Sequence, residues 1–388
     1  MSVKQQATKH IELLSDDLHN LASRIHNNPE LGSEEHKAVE QINSFLKDSQ
    51  FEFGCGIDGM ETAFQATHYQ RSPGPTVALL AEYDALPSLG HACGHNLIAA
   101  ASVGAAIGVG KIKENLPGKL VLLGTPGEEN IGGKINMVTE GVFDEIDAAM
   151  MFHPSDQNVV GKSSLSCSSL EIIFHGASAH ASGSPEEGIN ALDATIQTFN
   201  SLNALRQHIE DDSRIHGIIT NGGEKPNIVP ELASCEFNIR APEDEYKDDL
   251  VEKLKKCAKG AALATGCEVE FNQPEPSYKA MRPNEPLVKA FKKNGESLGL
   301  EFQQAEGGAG STDMGDVSQT IPAIHPYLSI VPEGTSAHTS EFRDAADSKK
   351  GKEVMITAAK ILAMTAIDVL TKGSLNTEMK EYFAETAP

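Results

Sequence analysis

The stretch TVALLAEYDALPSLGHACGHN (76–96) runs from a short apolar segment straight into a loop that carries Asp84, His91, Cys93 and His95. A run of that length bounded by turn residues reads as a strand buried on both faces. Two similar runs follow, KLVLLG (119–124) and DAAMMFH (147–153), with helical stretches around 96–110 and 133–141 between them. Strands alternating with helices predict an α/β fold with a largely parallel sheet.

Outward from this core, the N-terminal part shows two amphipathic helices separated by the turn-rich NNPELGS (27–33). One carries Leu18, Leu21 and Ile25, the other Val39, Ile42, Phe45 and Leu46. From about 165 the order changes to strand (SLEIIFHG), helix (Ile189, Leu192, Ile196, Phe199, Leu202), strand (RIHGIIT), strand (ASCEFNIR), helix (244–264) and strand (CEVEFN). This βαββαβ order is the ferredoxin-like split arrangement, which closes into a sheet of its own. It reads as an insertion spanning 165–275, so the first domain is discontinuous, 1–164 and 276–388. The second part resumes with a helix near 285–298, an apolar run at Tyr327–Val331, and a final helix carrying Val354, Ala358, Ile361, Leu362 and Val369.

With 388 residues the chain is long enough for about two domains. Its net charge of −23 opposes a nucleic-acid surface, which needs clustered Lys and Arg. No run suggests a membrane span and the polar start lacks a secretory segment, so a cytoplasmic location and no membrane partner are expected. The six cysteines are scattered without a disulfide framework, and five read as small buried residues.

Cys93 differs, because potential ligands follow each of the three strands: Cys93 and His95, then Glu128 and Glu129 in GTPGEEN, then His153 in MFHP. In open α/β sheets, sites form beyond the carboxyl ends of strands. A mixture of S, N and O donors suits a divalent transition metal, with Zn²⁺ and Mn²⁺ first, and not Ca²⁺ or Mg²⁺. Of two adjacent carboxylates one can bind metal while Glu128 takes a proton from metal-bound water, which matches amide hydrolysis. Taken singly, a histidine after a strand is more often structural, and neighbouring glutamates are more often a solvated pair. Convergence on one sheet edge is what separates the two readings.

The motifs NNPELGSEE, AEYDALPSLGHACGHN, GTPGEENIGGK, MFHP, FHGASAHASGSPEEGINALDA, PNIVPELASCEFNIR, GGAGSTDMGD and GTSAHTSEF occur in this order from end to end. Together they resemble the aminoacylase and carboxypeptidase G metallopeptidase family, in the branch with auxin-conjugate hydrolases and aminobenzoyl-glutamate hydrolase. The resemblance implies a zinc-exopeptidase-like catalytic domain with the insertion as lid and dimerisation domain. It further implies two divalent metals held by Cys93, His95, Glu129, His153 and His338, with Cys93 bridging and Glu128 as general base. His180 would polarise the scissile carbonyl, often in a partner subunit's site. Asn227, Arg240 and Thr312 would lie against substrate, Arg240 clamping a carboxylate through its two-pronged guanidinium. The implied substrate is an N-acyl amino acid, aminoacyl conjugate or short peptide with a free carboxylate, and the implied assembly a homodimer through the lid, or a tetramer.

Two positions depart from the general pattern: Glu82-Tyr83-Asp84 stands where most relatives have His-x-Asp, and Asn96 stands where many have aspartate. Asp84 is placed to orient an imidazole, while His91 and His325 read as supporting residues. Two other functions are compatible with the residues alone: a Cys93-nucleophile hydrolase activated by His95, and a binding protein of this fold without catalysis.

Overall fold

The computed structural model describes residues 1–387 apart from 48, 58, 70–71, 113–115 and 306–309. Gly307, Gly308 and Ala309 of the glycine-rich motif therefore lie outside the described residues. The chain divides into two compact units, Met1–Ser163 with Met281–Gly308 and Thr312–Pro388, and Ser164–Ala280 with Ala309–Ser311.

The first unit is built on a six-stranded mixed sheet in the order Glu52–Ile57, Met60–Tyr69, Pro117–Gly124, Ser72–Ala81, Ala148–Met150, Ala323–Ile324. The last four run parallel, with Ala81 beside Gly124, Leu79 beside Met150 and Met150 beside Ile324. Their carboxyl ends therefore share one edge, and the chain leaves that edge at Glu82, Thr125, Met151 and His325. A second, two-stranded parallel sheet pairs His153–Ser155 with Tyr327–Ser329.

The first two strands form an antiparallel hairpin that the apolar pattern does not announce. Glu52–Ile57 is mostly exposed and contains Gly54 and Gly56, so it carries no apolar run to betray it. A helix at Val3–Leu13 precedes the two expected ones (Ser15–His26 and His36–Leu46), and another at Gly373–Glu385 follows the long helix Lys349–Thr371.

Helix His95–Gly110 is buried from His95 through Val109, which explains its lack of a polar face. Gly104 and Gly108 let two N-terminal helices pack closely: a Cβ on Gly104 would lie 2.8 Å from Leu18 Cδ1, and one on Gly108 2.7 Å from Ile11 Cγ1. Lys349–Thr371 is long and apolar enough to cross a membrane, but 78% of its apolar window is buried inside the protein, as in a core helix.

The second unit has the βαββαβ order Ser166–His175, Ala191–Leu205, Arg214–Asn221, Leu232–Ala241, Asp244–Thr265, Glu268–Asn272. Its antiparallel sheet runs Glu268–Asn272, Ser166–His175, Leu232–Ala241, Arg214–Asn221, the ferredoxin-like strand order. A separate core fills this unit, centred on Ile172, Phe174, Cys235, Phe237, Leu250 and Leu254. Of the five cysteines read as buried, Cys167 and Cys235 are, whereas Cys55 is exposed and Cys257 and Cys267 are partly so. Cys55 sits in the exposed hairpin strand, its Sγ donating to Glu61 O at 3.1 Å.

Candidate metal centre

The parallel register dictates the site. Glu82 and Asp84 follow the strand ending at Ala81, Glu128 and Glu129 follow the one ending at Gly124, and His153 begins just past Met150. Cys93 and His95 reach the same place because the 85–94 loop returns to start helix His95–Gly110. Gly94 makes that return possible: its φ is +80°, and a Cβ there would meet Pro154 Cγ at 2.8 Å. His338 arrives from the far end of the chain, its backbone N–H donating to Ala92 O at 3.0 Å. Its φ of +62° is a left-handed conformation that costs energy outside glycine and persists only where the surroundings impose it.

Three donor groups converge, each with atoms within 4.8 Å of one another: Cys93, His95 and His153; Cys93, Glu129 and His338; and His95, Glu128 and Glu129. Cys93 Sγ lies 3.7 Å from His153 Nε2 and 3.4 Å from His338 Nε2. Glu129 Oε1 lies 3.4 Å from His338 Nε2 and 3.9 Å from His95 Nε2. All six residues implied by the resemblance for this unit's metal chemistry thus meet in one place.

The surrounding hydrogen bonds prepare these atoms. His95 Nδ1 donates to Asp84 Oδ1 at 2.8 Å and His153 Nδ1 to Pro154 O at 2.6 Å, so both Nε2 atoms face the cluster. Asp84 Oδ2 also accepts from Glu129 N at 3.0 Å, tying two donor loops together. Glu35, buried under the N-terminal helices, accepts from Gly127 N at 2.9 Å and from Thr62 Oγ1 at 2.8 Å, which shapes the loop just before Glu128.

Burial holds His153 neutral, its pKa pushed down to about 4. Burial also opposes charging His95, but Asp84 outweighs it and raises His95 well above the usual range. Burial, then the Glu82 and Glu129 carboxylates, raise Glu128 well above an ordinary glutamate. Burial and Glu129 push the Cys93 thiol up, the reverse of the activation a cysteine nucleophile needs. A cluster this rich in carboxylates, with imidazole nitrogens facing it, is a strongly cation-seeking environment. Among the described residues, His95 Nε2 and Glu129 Oε1 are buried without a hydrogen-bond partner, so the donor set fits divalent metal.

Three participants have only faint local signals in the sequence. Lys134 is fully buried and pairs with Glu82 Oε1 at 2.5 Å and Asp313 Oδ1 at 2.7 Å. A lysine three residues before the buried Met137, on the same helix face, is the pattern that would have marked it. Glu35 and Glu82 likewise gain meaning only from distant partners. Asn96 turns out to be a packing residue: its Nδ2 donates to Ala346 O at 3.0 Å and Ala22 O at 3.3 Å. His325 is buried with its ring against His153 and Tyr327, and His91 is buried beside His26. Thr312 is buried, and its Oγ1 accepts from Met314 N at 3.3 Å, a local turn.

His180, Asn227 and Arg240 belong to the second unit. Asn227 O accepts from Ala181 N at 3.1 Å, so Asn227 adjoins the exposed His180, whose Nδ1 accepts from Gly183 N at 3.1 Å. Arg240 lies toward the other end of strand Leu232–Ala241, half-buried, with NH1 donating to Ser311 Oγ at 3.0 Å. Arg240 is eight positions beyond Leu232, about 27 Å of extended chain, so these three residues do not form one cluster within a unit.

A family profile described as peptidase family M20/M25/M40 matches residues 78–361. The chain is 38% identical to the Xaa-Arg dipeptidase of Mus musculus over 98% of its length and 92% of the relative's. It is 31% identical to a p-aminobenzoyl-glutamate hydrolase chain of Escherichia coli K12, covering 93% of this chain and 90% of that one. Among solved structures, a Bacillus subtilis protein described as a dinuclear metal-binding peptidase of the M20 family superimposes with a TM-score of 0.73 at 21% identity, over 92% of this chain and 99% of the other. With a metal-seeking donor cluster at the sheet edge and these matches across nearly its whole length, the chain belongs to peptidase family M20/M25/M40 and is a metal-dependent amide hydrolase.

Proposed function

We propose that this enzyme cleaves the amide bond of a dipeptide-like or N-acyl amino acid substrate with a free carboxylate, at a centre of two zinc or manganese ions. Cys93, His95, Glu129, His153 and His338 hold the ions and Glu128 is the general base. The observation that carries this reading is that two separate donor groups, one with His95 and His153 and one with Glu129 and His338, share Cys93. A donor shared between two ligand groups is the arrangement that a paired site uses. The names of the mouse and Escherichia coli relatives, a dipeptidase and an aminobenzoyl-glutamate hydrolase, support an amide flanked by an amino acid.

Bound metal supplies a Lewis acid for the carbonyl and acidifies water. Glu128 takes the proton that the attacking water loses and returns it to the amine nitrogen as the C–N bond breaks. Asp84 holds the His95 ring so that its Nε2 stays available, and the Pro154 carbonyl does the same for His153.

In this reading the inserted unit, near 165–275, is both lid and dimerisation unit, with Arg240 clamping the substrate carboxylate, Thr312 and Asn227 adding contacts, and His180 polarising the carbonyl. The separation of Arg240 from His180 and Asn227 by most of the length of strand Leu232–Ala241 supports a dimer in which His180 serves the partner's site. Edge strand Arg214–Asn221, with Ile218 66% and Ile219 43% exposed, supports pairing between lids. All six cysteines are free, in keeping with the cytoplasm.

The test is metal analysis of the purified protein together with amino-acid release from a panel of dipeptides and N-acyl amino acids, before and after chelation and metal add-back. Two ions per chain and metal-dependent release are expected. Metal-loaded protein that releases nothing from the panel would indicate a binding protein, and release that survives full chelation would remove metal from the reaction.

A further inference from the structure

Glu82 has no role in the chemistry described so far, yet its carboxylate is among the most tightly enclosed in the protein, with its side chain 1% exposed. Oε1 is occupied by Lys134 Nζ at 2.5 Å, and Lys134 is held in turn by Asp313 Oδ1 at 2.7 Å. Oε2 is left facing His95 Nε2 at 3.5 Å. Both of these atoms are buried, and among the described residues neither has a hydrogen-bond partner.

Asp84 Oδ1 accepts from His95 Nδ1, so Nε2 is the ring atom turned toward the Glu82 oxygen. Two donor atoms enclosed in this way call for positive charge between them. A proton on Nε2 answers that need only weakly at 3.5 Å, because charge-assisted N–H···O bonds close to about 2.7–2.9 Å. Two ligands of one tetrahedral zinc, each about 2.1 Å from the ion, lie about 3.4 Å apart. The observed separation matches that spacing, and the fork to Lys134 leaves one Glu82 oxygen free for a one-oxygen contact.

Resting on the metal centre set out above, we propose that Glu82 is a further ligand of that centre, binding through Oε2 the same ion as His95 Nε2. Lys134 is its positioning residue, holding the carboxylate in a single-oxygen orientation. The centre then contains six protein ligands, and each ion has a carboxylate of its own, Glu82 at the ion of His95 and Glu129 at the ion of His338.

The test compares wild-type enzyme and Glu82→Gln by metal stoichiometry and affinity, and by the visible spectrum of the cobalt-reconstituted proteins, with circular dichroism as the check on folding. Lys134 needs an acceptor, so the glutamine turns its oxygen to Lys134 and presents NH₂, a non-ligand, to the metal. The expected result is one ion lost, or bound more than about 100-fold more weakly, beyond the 10–100-fold typical of supporting residues, together with shifted cobalt bands. Unchanged cobalt bands overturn the assignment, whatever the affinity. Should the variant not fold, a crystal structure of zinc-loaded wild-type enzyme decides: Oε2 within about 2.2 Å of zinc supports a ligand, and a distance above about 3 Å refutes it. Wild-type protein that binds no metal overturns the whole centre, whereas metal-loaded wild type with an unaffected variant overturns Glu82 alone.

Discussion

Replacing Lys134 by Met removes the single cation from between two enclosed carboxylates. Lys134 and Asp313 have fully buried side chains and that of Glu82 is 1% exposed, so water cannot take over the lost contacts at 2.5 and 2.7 Å. Breaking a buried pair from one side costs about 3–5 kcal/mol, because the remaining charge stays desolvated. At about 2–4 °C per kcal/mol for domains of this order of size, the first unit's melting transition falls by about 6–20 °C. The loss depends on pH in a defined direction. Burial already raises Asp313 with Lys134 beside it, and losing that cation raises it further, so the native state binds more protons than the unfolded one. Stability is then least affected below the unfolded carboxylate pKa near 4 and falls as pH rises toward the elevated folded values. Differential scanning calorimetry of wild type and Lys134→Met at pH 5 and pH 8 measures this. The triple variant Lys134→Met, Glu82→Gln, Asp313→Asn, which carries no charge at the site, recovers most of the loss. A shift below about 2 °C at both pH values, or a triple variant no better than the single one, refutes the charge argument.

Glu128→Gln should lower turnover by at least about 100-fold while metal content and melting temperature stay near wild type, and a variant keeping a tenth of the activity removes Glu128 from the base role. Asp84→Asn leaves the His95 ring unanchored and should weaken metal binding by about 10–100-fold, measured by competition with a chromogenic chelator; unchanged affinity would show that the Asp84 contact does not prepare His95. Glu35, raised to about 7 by burial, contributes stability that is present below pH 4.5 and lost as pH rises through 7. Glu35→Gln does not titrate, so it should gain up to about 3 kcal/mol relative to wild type between pH 4.5 and 8, and a constant difference in melting temperature across that range contradicts this. Ile218→Glu, placed on the exposed edge strand, should shift a dimer to monomer in sedimentation velocity with the fold intact, and a persisting dimer moves the interface elsewhere.

The sequence by itself determined the alternation of strands and helices and the βαββαβ insertion, because buried strands and amphipathic helices write their periodicity into local composition. It also named the donors, since Cys93, His95, Glu128, Glu129 and His153 each sit within a few residues of an apolar strand end or helix start. The strand Glu52–Ile57 escaped because an exposed, glycine-containing edge has no apolar pattern to leave. Only the tertiary structure decided what Glu35, Glu82, Asn96 and Lys134 do. Glu35 meets Gly127 across 92 positions, and Lys134 meets Asp313 across 179. A buried charge is stable only beside its partner, and that partner is chosen by strand order and loop return, not by neighbours in sequence. For the same reason the bridging position that the resemblance implies for Cys93 acquires its geometry only when four segments, those of Cys93 and His95, Glu129, His153 and His338, come to one sheet edge.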